Sequence, residues 1–332
     1  MFFYRTRNRS SYGSTYPLRH LIPGGSFDEL VIDKIGLLSV SGWNRAHDLH
    51  SLEVPQCLVN DKVLPLHLVF RTFRPDIART LGREYAFSGV VFTYKCEAFH
   101  DRKIRIQILL RQERIFELES TFDFVSPHYS TLLEEPQVLQ RQNIYATGPP
   151  SMEVPDEIAS IADGLVAPIL DFGCGSGALV KLLRNRGKEA YGIEIERKEI
   201  VDAIPRDVAD FITLYDGKLP LNFSKNEFKS TIASEVLEHL PDHEEYLKEV
   251  WRITEDVVVI TVPDMSAIPV CFPHNVVPWH LLESTHVNFF NQVSLELLLK
   301  KYFPRVEIAR IGLNITNGTR WFTSLVAICT KQ

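Results

Sequence analysis

The chain of 332 residues lacks several things. No apolar run reaches the roughly 18 residues that a membrane-spanning helix needs, so no span is expected. Its five cysteines (Cys57, Cys96, Cys174, Cys271, Cys329) are scattered and form no C-x-x-C pair. That argues against a zinc knuckle or a disulfide scaffold and fits reduced thiols in a cytoplasmic protein. Positive charge is not in excess: 36 Lys and Arg face 42 Asp and Glu, a net charge of −6. Nothing in bulk charge therefore invites nucleic acid or an anionic membrane. No segment repeats at a solenoid period. Acid is missing from the first 27 residues, which carry Arg5, Arg7, Arg9 and Arg19. They resemble a transit peptide in composition but lack the apolar core of a secretory signal. A basic flexible arm over 1–29 is expected there.

The length suffices for two domains, and the two halves have different rhythms. Residues 30–125 alternate in short apolar strands with little helix, which predicts a small β-sandwich-like domain. Asn60-Asp61 reads as a hairpin turn, 74–81 as a short helix, and the runs 88–99 and 102–110 as a strand pair. The prolines and polar residues of 126–150 mark a connector. From 151 to 332, strands and helices alternate: strands near 169, 190, 212, 230 and 257, with helices after the first, second and fourth. This predicts a mostly parallel α/β sheet. The last two strands have no helix between them and should form an antiparallel hairpin.

Within that half, "ILDFGCGSGALV" is a strand, a glycine turn and a helix start. Such a turn cradles a nucleotide-like ligand. Gly173, Gly175 and Ala178 formally fit a dinucleotide fingerprint, with Glu194 at the ribose position. Charge argues otherwise. Asp171 stands two residues before the first glycine, where it would repel a pyrophosphate. Glu194, Asp216 and Glu235 end the later strands on the same edge. A ring of carboxylates suits a ligand with positive charge and hydroxyl and amine donors.

At this point the sequence resembles the class I S-adenosylmethionine-dependent methyltransferases, over roughly 150–332. The matching segments are "LDFGCGSG", "GIEIE", "LYDGKLPL" and "ASEVLEHLPD". The resemblance implies a Rossmann-like domain with a seven-stranded sheet and S-adenosyl-L-methionine as cofactor. Gly173, Gly175 and Gly177 would form its turn, and Asp171 would hold the ammonium. Glu194 would accept from the ribose hydroxyls and Asp216 from the adenine amine, with Glu235 near the methyl group. An acid at a strand end can also cap the next helix, the plainer reading for Asp216 and Glu235. The N-terminal half resembles a β-sandwich module of carbohydrate-related enzymes.

The loop 263–291 follows the fifth strand on the ligand-binding edge, and long loops of this kind often carry function. It holds His274, His280, His286, Trp279, Phe289 and Phe290. The aromatics could contact an acceptor or merely cover the sheet. His286 is the first candidate base, because "STHVNFF" resembles a segment of small-molecule and sugar methyltransferases, and His239 is the second. No metal is expected on this reading. The alternative is that Glu235, Glu238, His239 and His286 resemble the E-x-x-E-H metal site of small-RNA ribose 2′-O-methyltransferases. The expected activity is methyl transfer to a small molecule, a glycan or natural product, at oxygen. A non-catalytic cofactor-binding scaffold is the alternative of another class. A homodimer stays open.

Overall fold

The computed structural model describes residues 14–32, 37–46, 49–95, 103–121, 151–271, 283–316 and 319–331. The expected connector 126–150, the first 13 residues, Cys96, and the loop residues His274, Trp279 and His280 lie outside them. The chain divides into two compact units, and neither is one contiguous stretch.

The first unit comprises 1–138, 267–277 and 313–321. Strands β1 (Ser14–Ile22), β2 (Gly25–Ile32), β3 (Leu37–Asn44), β7 (Gly89–Lys95) and β6 (Leu66–Thr72) pair antiparallel in that order. A second antiparallel sheet runs β5 (Lys62–Val63), β4 (Gln56–Val59), β8 (Lys103–Leu110), β9 (Glu113–Thr121). Phe27, Leu30, Leu38, Val40 and Phe92 of the first sheet share one buried core with Cys57, Val59, Ile104, Ile106 and Ile108 of the second. Alternate residues of each strand face that core, as in a sandwich. Asn60 and Asp61 have φ of 49° and 65° and turn β4 into β5, the geometry a two-residue hairpin loop demands. Helix α1 (Pro75–Leu81) is where the sequence placed it.

Two expectations need correction here. Residues 14–29 are not a flexible arm but β1 and most of β2, paired from Ser14↔Ile32 to Ile22↔Gly25. The arginines hid the pattern: β1 is an edge strand whose exposed side tolerates charge and Pro17. The runs 88–99 and 102–110 do not pair with each other. β7 lies between β3 and β6, whereas β8 lies between β4 and β9. Alternation shows that a strand has a buried face, but not which of two facing sheets it joins.

The second unit comprises 139–266, 278–312 and 322–332. It opens with α2 (Asp156–Gly164), absent from the sequence reading. Then come β10 (Ile169–Phe172), α3 (Ala178–Asn185), β11 (Ala190–Ile195), α4 (Lys198–Ala203), β12 (Ile212–Tyr215), β13 (Phe228–Ser234), α5 (His243–Ile253) and β14 (Thr254–Pro263). The short helix α6 (Ala267–Cys271) falls in the first unit; α7 (Gln292–Leu299), β15 (Arg305–Thr316) and β16 (Thr319–Thr330) follow. The strand order is β12-β11-β10-β13-β14-β16-β15. Strands β10 to β14 are parallel and β16 is antiparallel to β14. β15 neighbours β16 with two residues between them, so the pair is antiparallel, since a parallel return needs a long crossover. The order reverses between β10 and β13, and ligands bind at the carboxyl ends of strands at such a switch point.

Candidate active site

The glycine turn leaves β10 at that switch point. Gly173 has φ of 84°, which L side chains rarely adopt, and a Cβ there would lie 2.5 Å from Val236 Cγ2. Its N–H donates to Ile193 O at 2.8 Å, fastening the turn to β11. Gly175 (φ 53°) and Gly177 (φ 75°), the latter the N-cap of α3, complete it.

Two carboxylates stand beneath the turn. Asp171 is 5% exposed and Glu194 9% exposed. Burial, and then the neighbouring Glu194 charge, push the Asp171 carboxyl up to about 7. Glu194 accepts from Gly175 N and Ile195 N, both at 2.8 Å. The Gly175 amide, a donor that a pyrophosphate would require, is thus already bonded to a carboxylate. A dinucleotide meets negative charge here where it needs N–H groups. Among the described residues no cation pairs with Asp171 or Glu194. Asp216 behaves differently. It is largely exposed, accepts from Lys218 N at 3.1 Å and pairs with Lys218 Nζ at 2.7 Å, which holds its carboxyl below the usual range.

The segment after β13 carries the acids and imidazoles of "SEVLEHL". Glu235 has φ of 54°, a left-handed conformation uncommon for its type. Burial raises its carboxyl to about 7, opposed by hydrogen bonds to the Thr261 and Ser324 hydroxyls. Its backbone N–H donates to Thr261 Oγ1 at 3.1 Å, which ties this residue to β14. Glu238 and His239 lie on the following 3₁₀ turn, Leu237–His239. The Glu238 side chain is 1% exposed, and neither of its oxygens finds a hydrogen-bond donor among the described residues. Burial, reinforced by the Glu235 charge, raises its pKa well above the usual carboxylate range. His239 Nε2 is 3.8 Å and His286 Nε2 3.9 Å from Glu238 Oε1. One ligand atom from each of the three lies within 4.8 Å of the others. Burial lowers the His239 pKa, so the imidazole is neutral near pH 7 and able to offer a lone pair.

A clasp brings His286, distant in sequence, to this turn. Val287 N and Asn288 N both donate to Glu238 O, at 2.9 and 3.0 Å. Asn288 Nδ2 donates to Leu237 O at 3.1 Å and to Leu240 O at 2.6 Å. Thr285 Oγ1 lies 2.9 Å from His239 Nδ1 and donates to Glu283 Oε1 at 2.6 Å. Sequence reasoning missed Glu283, Thr285 and Asn288. It also missed the buried pair of Arg310 Nε with Asp264 Oδ2 at 2.7 Å, which anchors the end of β14. A run of polar residues inside an otherwise aromatic loop, "ESTHVN", was the available signal. Phe290 is buried against the core and covers the sheet, whereas Phe289 is exposed.

Residues 149–302 match a protein family described as a methyltransferase domain. This part of the chain belongs to that family. It is an S-adenosylmethionine-dependent methyltransferase domain, and S-adenosylmethionine is its cofactor. No curated protein matches the chain. Among solved structures it is similar to a SAM-dependent methyltransferase from Archaeoglobus fulgidus, at 16% identity over 49% of this chain and 85% of that one, TM-score 0.38. A second, from Thermotoga maritima, is 14% identical over 52% and 87%, TM-score 0.39. A third, from Aquifex aeolicus, is 13% identical over 62% and 99%, TM-score 0.35. The site fits the methyltransferase cofactor. Two buried carboxylates with no cationic partner among the described residues suit an ammonium and a ribose diol, and the glycine at 173 lets the turn pack against Val236 in a backbone conformation that other residues rarely adopt. No helix among the described residues is long and apolar enough to cross a membrane.

Proposed function

We propose that the methyltransferase domain methylates a hydroxyl group of a small acceptor, a glycan or natural product in class, with a divalent cation held by Glu238, His239 and His286. The observation that carries this reading is the Glu238 carboxylate. It is buried, has no hydrogen-bond donor among the described residues, and faces two imidazole nitrogens. Burial without a donor disfavours the ionised form of this carboxylate, and a cation at that point would favour it. Glu235, the fourth candidate ligand, does not fall within the 4.8 Å cluster that the other three form. Three of the four residues of the metal alternative thus support a cation, against the metal-free expectation, while the small acceptor is kept from the first reading.

S-adenosylmethionine supplies an electrophilic methyl group on a sulfonium. Asp171 would hold its ammonium and Glu194 its ribose hydroxyls, with Asp216 offered to the adenine amine. In the transfer, a carbon–oxygen bond forms in line as the carbon–sulfur bond breaks, and sulfur keeps that electron pair. Alignment supplies much of the acceleration. The acceptor hydroxyl must also give up its proton, to solvent water, and a divalent cation held by Glu238, His239 and His286 would supply the Lewis acidity that eases this loss. Chelation of the full-length protein should therefore abolish methylation of a hydroxylated acceptor, and added Mn²⁺ should restore it. Glu238→Gln should resemble the chelated enzyme. Full activity in chelator, with a loss of roughly 10²–10⁴-fold in His286→Ala, would instead favour a metal-free histidine base.

A further inference from the structure

The proposed cation site depends on which nitrogen of His239 carries the proton. A neutral imidazole donates from one nitrogen and offers a lone pair from the other, and the partner of the first decides the state of the second. Among the described residues, His239 Nδ1 has two hydrogen-bonding neighbours, both from Thr285: its hydroxyl at 2.9 Å and its carbonyl oxygen at 3.3 Å. The carbonyl can only accept. The hydroxyl has one proton, and that proton goes to Glu283 Oε1 at 2.6 Å. Towards His239 the hydroxyl is therefore an acceptor too, so the imidazole proton sits on Nδ1. The Nε2 lone pair is left facing Glu238, 3.8 Å away.

We infer that Glu283 and Thr285 are positioning residues that fix the His239 tautomer and ring orientation, so that Nε2 is presented to a cation shared with Glu238 and His286. This rests on the metal reading above. The short segment "ESTH" then supplies both His286 and the pair that prepares His239. The Glu283 carboxylate acts on His239 through Thr285, by taking the hydroxyl proton, while the Glu283 carbonyl oxygen accepts from His286 N at 3.5 Å. Without that carboxylate, the hydroxyl proton can turn to Nδ1, which moves the imidazole proton to Nε2 and blocks the lone pair.

The test is a titration of the full-length protein with Co²⁺ alone, followed by its visible absorption, in the wild type, Thr285→Val, Thr285→Ser, Glu283→Ala and the double variant Thr285→Val/Glu283→Ala. Losing such a partner should weaken metal affinity by about 10–100-fold in Thr285→Val and in Glu283→Ala. Thr285→Ser should restore wild-type affinity. The double variant should lose no more than Thr285→Val does, because the two residues act as one unit. Wild-type affinity in Thr285→Val, failed rescue by serine, or simply additive losses would overturn the assignment. A second measurement needs no variant: ¹⁵N imidazole spectra of the metal-free wild type should show His239 protonated at Nδ1. A proton on Nε2 would overturn the inference. If the wild type fails to bind Co²⁺ while the Nδ1 proton is found, the metal reading falls and the tautomer assignment stands.

Discussion

At the scale of single residues, Asp171 makes the sharpest prediction. Its carboxyl, lifted to about 7 by burial and by Glu194, keeps its proton in the folded, ligand-free protein well above the ordinary value of 3.8. Between those values the folded chain binds more protons than the unfolded one. The stabilisation is fully present below the unfolded pKa and is lost as pH rises through the folded one. A bound ammonium reverses the preference, because an adjacent positive charge favours the ionised carboxylate. Binding of S-adenosylhomocysteine should then release a proton and tighten between about pH 6 and pH 8. Calorimetry in buffers of different ionisation enthalpy measures both effects, and Asp171→Asn should flatten the pH dependence. A wild-type affinity that ignores pH would detach Asp171 from the ammonium. Asp171 and Glu194 were legible in the sequence because charge at the end of an apolar strand is conspicuous. Glu283, Thr285 and Asn288 were legible only as members of a polar run, since a loop has no periodicity that assigns each residue a side.

At the scale of elements, the clasp between 283–290 and the Leu237–His239 turn matters most. Asn288 serves two carbonyls of that turn at once. Asn288→Ala leaves both without their side-chain donor and should destabilise the protein by about 1–3 kcal/mol. It should also weaken cation binding, although Asn288 is no ligand. Urea unfolding and the Co²⁺ titration check the two effects; unchanged values in both would show that the backbone bonds of Val287 and Asn288 suffice. The alternating rhythm of β10 to β14 was readable because each strand is a short apolar run and each helix follows a turn residue. The N-terminal half was harder. Its strands are antiparallel and half-exposed, so β1 passed for an arm, and the sheet to which β7 and β8 belong depends on long-range pairing that no local pattern encodes.

At the scale of the whole molecule, the units are interleaved in sequence. Segments 267–277 and 313–321 lie within the methyltransferase half but group with the N-terminal strands. Ala267, Cys271 and Trp321 form a small buried cluster, and Arg320 Nη1 pairs with Glu29 Oε1 at 2.9 Å. A chain starting near residue 150 therefore keeps every proposed cofactor contact but leaves those two segments without the rest of their unit. Such a chain should still bind S-adenosylhomocysteine, and limited proteolysis should cut first within 267–277 and 313–321. Equal resistance in the truncated and full-length chains would mean that the segments need no such support. The domain boundary read at 126–150 is a proposal that this experiment also tests.

The donor set of Glu238, His239 and His286 has a consequence for how the protein would live among metals. Two imidazoles and one carboxylate bind first-row divalent ions in the usual ascending order from manganese to copper, with zinc below copper. Manganese stands at the weak end of that series, and such nitrogen-rich sites hold magnesium poorly. Ligand chemistry alone would therefore let scarce, tightly binding ions displace abundant, weakly binding ones. The ion in the site would be set by what the surroundings make available, and the same protein prepared from media of different trace-metal content would carry different occupants.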